Sequence, residues 1–586
     1  MKLDVQQRRA GLFVPVFALR TETDLGIGDT GGLRQLVNWC QDLNVSILQI
    51  LPINETSDDN SPYNVISSQA LEPATLEITP ELIPGLTSTD MKKLATATTL
   101  KKLRKGPVQY KAVKKLKRKL LETAFEKFIS PKAKAKELDS ARKEFADFIA
   151  LEKSWLDDYA LFRALMEQNG HPDWERWSKE HRAIESARKW LNDLSEAKKA
   201  SFEKDMQFFM FAQWLLFKQW KQVRAEAEAK GVYLMGDISF GVSRCSVDVW
   251  AHPQQFKLEW SAGAPPEGWF KGDPFTEQWG QNWGVPVYNW DAMKKDGYLW
   301  WRKRIQGTTR FFHTFRLDHI LGFYRVYAFP WQPRDNHLYI GLDEKKAKAK
   351  AGDLPKFIPY DDKVKEQAEL NQKHGEELLQ MVLQAAGDAT VIGEDLGMVP
   401  DYVRPSLTKI GISGFKIPIF EKEWNGEYKK PEEYPALSVT TLSTHDHETM
   451  LGFWESWWKK FEEGEKLKAK GKGDKSSLEE AEKASWEVYR TQRFAWLDDR
   501  AMLREYEPQV REGVCRRSLK SASWLTILMI TDLLGLSTRF NVPGPSADSN
   551  WSERLPYTVT ELATSPDLEN IRGFIRWAIQ ESDRKR

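Results

Sequence analysis

The sequence predicts a (β/α)8 barrel, a TIM barrel, with inserted, mainly helical subdomains. Eight short apolar, β-branched runs are bounded by turn residues and are typical of strands, and helical patterns separate most of them. Eight alternations of strand and helix favour a parallel barrel. The predicted strands occupy residues 11–19, 45–53, 231–239, 314–323, 389–397, 414–420, 436–447 and 523–535.

The spacing of these strands is uneven and locates the insertions. Residues 80–200, between the second and third strands, are rich in Lys, Glu, Ala and Leu and have a helical pattern throughout. We therefore expect residues 1–79 to form the first part of the catalytic barrel, 80–200 an inserted helical subdomain, and 201–586 the remainder of the barrel with loop insertions. The basic stretch at 101–121 is typical of a solvated helix surface.

Charge and cysteine content restrict the partners and the compartment. The 86 basic and 84 acidic residues leave a net charge of +2, so no global field attracts nucleic acid or anionic lipid, and we expect a neutral partner. The three cysteines are far apart in sequence and favour a reducing compartment over a disulfide framework. With no signal-peptide layout and no apolar stretch of ~18 residues, a cytoplasmic location without a membrane partner is expected.

The chain contains 25 tryptophans, several of them in the polar, Gly- and Pro-rich segment 269–291. Tryptophan combines an apolar face with a polar edge. These rings therefore either cover a large core from loops or provide stacking surfaces for flat, partly apolar ligands such as sugar rings or bases.

Acidic residues follow several of the predicted strands. The active site of such a barrel lies at the carboxyl ends of its strands, so these side chains are expected to converge. One Arg316–Asp318 ion pair at a strand end is an ordinary feature, whereas acids at four strand ends indicate a site. The residues are Asp237 after the third strand, Asp318 after the fourth, Glu394 and Asp395 after the fifth, and His445, Asp446, His447 and Glu448 after the seventh.

Carboxylates beside tryptophans suit glycoside chemistry, in which one carboxyl acts as nucleophile or base and another as general acid. A divalent-metal site is an alternative for the same residues. His445 and His447 are two apart and face the same side of a strand, and Asp318 or Glu394 could complete the ligand set.

A second alternative is a nucleotide site. Gly26, Gly28 and Gly31 form a GxGxxG pattern between a strand and a helix, and Glu55 follows the second strand, near the place of the ribose-binding acid in a dinucleotide fold. The same glycines also suit a tight turn that starts the first barrel helix, with Asp29 near its N-terminus.

Several motifs occur together and in order along the chain. They are LGIGD (25–29), SPY (61–63), WLDDYALF (155–162), DVWAHP (248–253), GQNWGVPVYNWD (280–291), FRLDHILGF (315–323), GEDLG (393–397) and STHDHET (443–449). In these motifs the sequence resembles the amylomaltase, or 4-α-glucanotransferase, family over nearly the whole chain outside residues 80–150. The resemblance implies a barrel related to the α-amylase group and a retaining transfer of α-1,4-glucan segments.

The resemblance also implies roles for individual residues. Asp318 corresponds to the nucleophile, Glu394 to the general acid/base and Asp446 to a third carboxylate that holds sugar hydroxyls. The implied substrate-binding residues are Tyr63, Asp237, Gln281, Trp283, Arg316, His319, His445 and Asn541. A nucleophile must be an anion, which an adjacent guanidinium favours. The acid must begin protonated, so Glu394 is expected in a drier setting or near other carboxylates.

The predicted function is therefore a 4-α-glucanotransferase that needs no metal or organic cofactor. It would pass glucan segments from a maltooligosaccharide or α-1,4-glucan donor to the 4-hydroxyl of an acceptor such as glucose or maltose, through a covalent glycosyl-aspartate. The alternatives are an α-1,4-glucan hydrolase with the same carboxylates and a non-catalytic glucan-binding protein, which the intact carboxylates disfavour. His447 and Glu448 replace the family's more usual Asn-Asp after THD, which leaves acceptor preference open, and the sequence does not predict the oligomeric state.

Overall fold

The computed structural model of the chain describes residues 3–130, 136–268, 272–470, 475–497, 502–544 and 549–584. Within these ranges the strands, in chain order, are β1 Arg9–Phe13, β2 Ile47–Gln49, β3 Tyr233–Ile238, β4 Phe256–Ala264, β5 Gln281–Tyr288, β6 Thr314–Leu317, β7 Val326–Phe329, β8 Lys356–Ile358, β9 Thr390–Gly393, β10 Gly414–Lys416, β11 Ser438–Thr441 and β12 Leu525–Met529.

The α-helices are interspersed with these strands and surround the sheets. In chain order they are α1 Thr30–Asp42, α2 Ser88–Leu94, α3 Ala97–Leu103, α4 Tyr110–Ile129, α5 Lys136–Asn169, α6 Ile184–Asp193, α7 Glu196–Ala229, α8 Val247–Ala251, α9 Pro274–Trp279, α10 Trp290–Lys294, α11 Leu299–Thr309, α12 Leu321–Tyr324, α13 Glu344–Ala351, α14 Lys365–Ala386, α15 Val403–Ile410, α16 Met450–Ala469, α17 Lys475–Phe494, α18 Pro508–Leu519, α19 Ile530–Leu534, α20 Val559–Thr564 and α21 Glu569–Glu581. No helix in the described ranges is both long enough and apolar enough to cross a bilayer.

Eight parallel strands form a nearly closed barrel in the order β10-β11-β12-β1-β2-β3-β6-β9. A parallel bridge between Ile392 of β9 and Ser413, just before β10, joins the two ends of the sheet. Each of the eight predicted strands contains or overlaps one of these strands, so the predicted fold class is confirmed.

The predicted fourth strand, 314–323, was too long. β6 ends at Leu317, and the apolar residues that follow form the short helix α12. Leu321 and Phe323 are buried in a cluster that joins Leu378 of α14 to residues of the barrel strands. A short apolar run fits a buried helix as well as a strand, and periodicity alone does not separate them.

A second, antiparallel sheet with the order β5-β4-β7-β8 was not predicted. Its strands come from the connections between β3 and β6 and between β6 and β9. The β4–β5 pairing contains register shifts between Lys257 and Gly263, which break the regular alternation by which such strands are recognised. This sheet lies beside the open carboxyl end of the barrel, which we call the barrel mouth.

Helices α2 to α6 lie between β2 and β3, and the long helix α7 follows them and leads into β3. Leu12 of β1, Phe128 of α4 and Trp214 of α7 belong to one continuous hydrophobic cluster. The expected boundary at residue 200 falls inside α7, and the division into 1–79, 80–200 and 201–586 stays a prediction.

The glycines between β1 and α1 have a packing reason. A Cβ atom on Gly28 would lie 1.9 Å from the carbonyl oxygen of Val16, and Gly26 has a φ of +97°. Asp29 is the N-cap of α1 and accepts a hydrogen bond from the amide of Gly32 at 3.1 Å. The GxGxxG spacing therefore follows from the tight turn that starts the first barrel helix.

Candidate active site

One buried arginine at the end of β6 contacts three carboxyl groups. Nη1 of Arg316 donates to both oxygens of Asp237, at 2.9 and 2.8 Å. Its Nη2 lies 3.0 Å from Oδ1 of Asp318 and 3.8 Å from Oε2 of Glu394. The carboxyl groups come from β3 and from the ends of β6 and β9, which are neighbours in the barrel. The predicted convergence of acids on the carboxyl ends of these strands is what the structure shows.

Asp318 occupies the more open position in this group, with 24% of its side chain exposed. Its Oδ2 accepts a hydrogen bond from the main-chain amide of Phe240 at 3.3 Å, and its Oδ1 faces Arg316. One oxygen is thus held by an amide and the other by a guanidinium, and charge-assisted contacts of this kind orient a carboxylate. Asp318 is therefore both accessible and held in a defined orientation.

Glu394 lies in a drier environment. Burial raises the pKa of Glu394 to about 7, against the attraction of Arg316 and with a further rise from Asp318. The amides of His319 and Leu396 donate to its two oxygens at 2.9 and 3.0 Å. His319 reaches this position with a φ of +45°, an unusual backbone conformation for a non-glycine residue. With a pKa of about 7, Glu394 can be either protonated or ionised near neutral pH.

Asp446, after β11, has the opposite electrostatic setting. Burial alone raises its pKa, but the attraction of His445 and hydrogen bonds from His445 and Asn541 outweigh burial and hold that pKa well below its usual range. Nδ2 of Asn541 donates to Oδ1 at 2.6 Å, and Nε2 of His445 lies 3.2 Å from Oδ2. Asp446 is consequently an anion at neutral pH.

Aromatic rings connect Asp446 to the arginine cluster. The ring of Tyr63 stacks on the imidazole of His445, with centroids 5.2 Å apart and an interplanar angle of 14°. The hydroxyl of Tyr63 donates to Oδ2 of Asp237 at 2.7 Å. Trp551 lies 5.8 Å from both rings. Tyr63 therefore connects His445 and Asp446 with the carboxyl groups around Arg316.

Another wall of the mouth comes from the antiparallel sheet. The ring of Trp283, in β5, meets the ring of His319 edge-on at 4.9 Å, and its Nε1 donates to Oε1 of Gln281 at 3.2 Å. Burial lowers the pKa of His319 to about 4, so its imidazole is neutral at neutral pH. Trp283 keeps an exposed face, which is available to a ligand in the mouth.

A sequence model of the 4-alpha-glucanotransferase family, glycoside hydrolase family 77, matches residues 14–560 of this chain. The chain belongs to this family. A 4-alpha-glucanotransferase of Chlamydia muridarum is 30% identical over 579 residues, which cover 96% of this chain and 94% of that protein. That of Thermus thermophilus is 29% identical, with 90% and 91% coverage.

Two solved structures have the same fold. The amylomaltase of Streptococcus agalactiae in complex with acarbose gives a TM-score of 0.71 at 23% identity and covers 99% of this chain and 100% of that chain. The amylomaltase of Corynebacterium glutamicum gives 0.73 at 20% identity, with 99% and 75% coverage. The sequence-based predictions of the family and of a 4-alpha-glucanotransferase activity are confirmed.

Some acids that the sequence grouped with the site of this 4-alpha-glucanotransferase lie apart from it. Asp395 is buried and accepts hydrogen bonds from the amide of Phe415 at 2.6 Å and from Arg404 at 2.9 Å. Glu448 is exposed and accepts from Ser456 on α16 at 3.3 Å. The alternation of side chains at a strand end places Glu394 and Asp395 on different sides.

The two histidines considered as metal ligands have separate partners. His445 faces Asp446, whereas Nδ1 of His447 shares a hydrogen bond with Oγ1 of Thr444 at 2.7 Å and its ring lies 5.2 Å from Phe420. Within the part of the chain that the structure describes, no group of three or more His, Cys, Asp or Glu side chains is arranged to hold a metal ion.

The tryptophans of segment 269–291 serve different purposes in the glucanotransferase. Trp269 lies outside the described residues. Trp279 is buried against Trp331, and Trp290 stacks on Trp301, whereas Trp283 faces the mouth. Trp551 was missed by sequence reasoning, although the residues before it are polar and contain Gly and Pro, as in segment 269–291.

Proposed function

We propose that the chain redistributes α-1,4-glucan segments between maltooligosaccharides, with Asp318 as nucleophile and Glu394 as general acid/base. The observation that carries this proposal is the unequal environment of two carboxyl groups that contact one nitrogen of Arg316. One is accessible and paired with the cation, and the other is buried with a pKa of about 7. Retaining enzymes need such a pair only ~5 Å apart.

The first half of the reaction breaks the donor bond. Protonated Glu394 donates its proton to the glycosidic oxygen while a carboxylate oxygen of Asp318 attacks C1 of the sugar. The leaving oligosaccharide departs with a free 4-hydroxyl, and the donor segment remains as an ester on Asp318. In the second half, ionised Glu394 takes the proton of an acceptor 4-hydroxyl, whose oxygen attacks C1 and releases Asp318.

Asp446 supports the transition state of both halves in this proposal. Its carboxylate stays ionised, so it can accept hydrogen bonds from sugar hydroxyls as the ring distorts toward an oxocarbenium-like geometry. Asn541 and His445 hold it in place. Tyr63 and Asp237, bonded to each other and to Arg316, would line the same sugar-binding surface.

The remaining predicted contacts lie across the mouth. Gln281, Trp283 and His319 form one connected group there, suited to hold a sugar by one stacking face and two polar edges. Donors would be maltooligosaccharides or longer α-1,4-glucans and acceptors glucose or maltose, in a cytoplasmic setting and without a cofactor. The acarbose bound to the streptococcal relative supports an oligosaccharide ligand of this class.

Incubation with maltotriose alone tests the proposal. Transfer conserves the number of glycosidic bonds, so we expect glucose and a ladder of longer oligomers while total reducing ends stay constant. Added glucose should shorten the ladder because it competes as acceptor. Reducing ends that rise in step with glucose release would show an α-1,4-glucan hydrolase instead.

A further inference from the structure

A short hairpin follows β10 at the carboxyl end of the barrel. Lys422 and Tyr428 form an antiparallel bridge. The amide of Glu423 donates to the carbonyl of Glu427 at 2.8 Å, and Gly426 has a φ of +82° in the turn. Gly426 ends the three-residue loop between Glu423 and Glu427, the position at which such loops favour a left-handed residue. We refer to residues 421–429 as the rim hairpin.

Trp424 lies at the tip of the rim hairpin and is 96% exposed, more than any other large apolar side chain in the described ranges. Within those ranges no aromatic ring or cation is stacked on it. Single exposed apolar residues are common on protein surfaces. Exposure alone therefore does not indicate a binding role for Trp424, and its support and its position must be considered as well.

Contacts from both arms tie the rim hairpin to α17. Nζ of Lys422 and the hydroxyl of Tyr428, one from each arm, donate to the two oxygens of Glu487 at 2.6 and 2.9 Å. Glu487 belongs to α17 and is buried. Arg493 of the same helix pairs with Glu427 at 3.3 Å. A ligand that docks on Trp424 thus meets a preorganised surface, which lowers the entropic cost of binding.

The position of the rim hairpin connects it with the active site. Phe420, immediately before the hairpin, is 56% exposed, and its ring packs on His447 at 5.2 Å. His447 directly follows Asp446, the third carboxylate. Phe420 and Trp424 are therefore exposed rings four positions apart on the loop that follows β10, and the first of them contacts the residue next to Asp446.

We propose that Trp424 is a stacking platform for an α-1,4-glucan chain that extends out of the active-site mouth, and that it favours long glucans over short oligosaccharides. The apolar face of a pyranose ring is a suitable partner for an exposed indole, and a neutral polymer needs no charged receptor. The proposal rests on the proposed function, since it adds a contact remote from the reacting bond.

The test compares kcat/KM for long amylose and for maltotriose in the wild type and in Trp424→Ala. We expect the ratio of the two values to fall about three- to tenfold in Trp424→Ala, because the proposed contact lies outside the mouth and a three-sugar chain would not extend to it. Trp424→Phe should retain most of the wild-type ratio. Trp577→Ala is the matched control. Trp577 lies on α21 and is 48% exposed. The residues after α21 lie at the opposite end of the barrel, since Arg584 donates to the carbonyl of Arg9 at the start of β1.

Retardation of each protein in native gels that contain amylose measures binding to the polymer separately from kcat/KM. Retardation of Trp424→Ala should be weaker than that of the wild type and of Trp577→Ala. Equal retardation and an unchanged ratio would overturn the platform, even with maltotriose redistribution intact. If the wild type fails to redistribute maltotriose, the proposed transferase function is refuted instead. The gels would still show whether Trp424 binds amylose. A dimer that Trp424→Ala dissociates, with retardation unchanged, would assign the ring to a self-interface and refute the proposal.

Discussion

Arg316 shows how single residues divide the work of the site. One nitrogen of its buried guanidinium donates to both oxygens of Asp237, and another contacts Asp318 and Glu394. Removing one partner of a buried ion pair costs ~3–5 kcal/mol, since the other charge is left uncompensated. Arg316 therefore both stabilises the barrel mouth and orients Asp318, the proposed nucleophile.

Trapping the covalent intermediate separates the two carboxyl groups cleanly. Asp318→Ala should lose nearly all turnover, because no ester can form. Glu394→Gln should also be inactive with natural glucans, yet a maltooligosaccharyl fluoride needs no proton for its leaving group and should still glycosylate Asp318. Mass spectrometry of digested Glu394→Gln is expected to place the adduct on Asp318. An adduct on Asp446 would reverse the assignment.

The pKa of Glu394 predicts the alkaline limb of the pH profile. The acid must begin protonated, and it loses its proton as the pH rises through about 7. We therefore expect kcat/KM for maltotriose to fall above that pH, by about tenfold for each further pH unit. The control is Glu394→Gln with the fluoride donor, where glycosylation needs no proton and this limb should vanish. A limb that persists there would assign it to another group.

At the scale of residues, the sequence predicted the convergence of the acids and the dry setting of Glu394, but not the setting of Asp446. Asp237, Asp318 and Glu394 could be located because barrel strands end at one face. Against the effect of burial, the pKa of Asp446 is lowered by the adjacent His445 and further by Asn541, which is 95 positions away in the chain, and no local pattern connects Asn541 with Asp446. Trp551 likewise reaches the site through contacts with residues that are far from it in the chain, Tyr63 and His445. Sequence reasoning therefore found the charged groups more readily than the neutral ones that adjust them.

At the scale of elements, the antiparallel sheet is the feature that sequence reasoning missed and the site needs. β5 places Trp283 against His319, although the surrounding Gly, Pro and Trp residues were typical of a loop. Tyr327 and Ala328 of β7 pair with both β4 and β8, so β5 belongs to a four-stranded support. A tryptophan on such a support can exclude water from the mouth, which a transferase requires.

Trp283→Ala should shift the balance from transfer to hydrolysis. Water at ~55 M competes for the glycosyl-enzyme, and an acceptor sugar wins only if preorganised contacts align its hydroxyl. We expect the fraction of turnovers that create a reducing end to rise several-fold. Trp260→Ala on β4 is the control, since that ring lies under Lys356 at 4.9 Å on the same sheet. An equal shift in both variants would indicate a general loosening of the sheet.

At the scale of the whole molecule, the eight barrel strands were predictable because each is a compact apolar run, and the helices between β2 and β3 because that stretch is rich in Lys, Glu, Ala and Leu. How the insertion attaches was not predictable. Lys117 of α4 is buried and donates to the carbonyls of Ala74 and Leu76, at 2.5 and 2.8 Å. Arg163 of α5 pairs with Glu55 at 3.2 Å. These contacts join the helices to the loop that follows β2.

This attachment predicts that the chain between β2 and β3 is not an autonomous domain. Its apolar residues share one core with the barrel, and its buried cations depend on groups outside it. An isolated fragment 80–200 should therefore show little stable tertiary structure, and the full chain should unfold in one calorimetric transition.

Lys117→Ala removes two hydrogen bonds from buried carbonyls. It should lower the free energy of unfolding by ~1–3 kcal/mol for each carbonyl left unpaired, and so lower the midpoint of the transition without splitting it. Arg188→Ala, on the exposed face of α6 and paired with Asp158, is the control and should change the midpoint little. Two separate transitions, or a fragment 80–200 with sharp cooperative unfolding of its own, would show that the helices form a domain independent of the barrel.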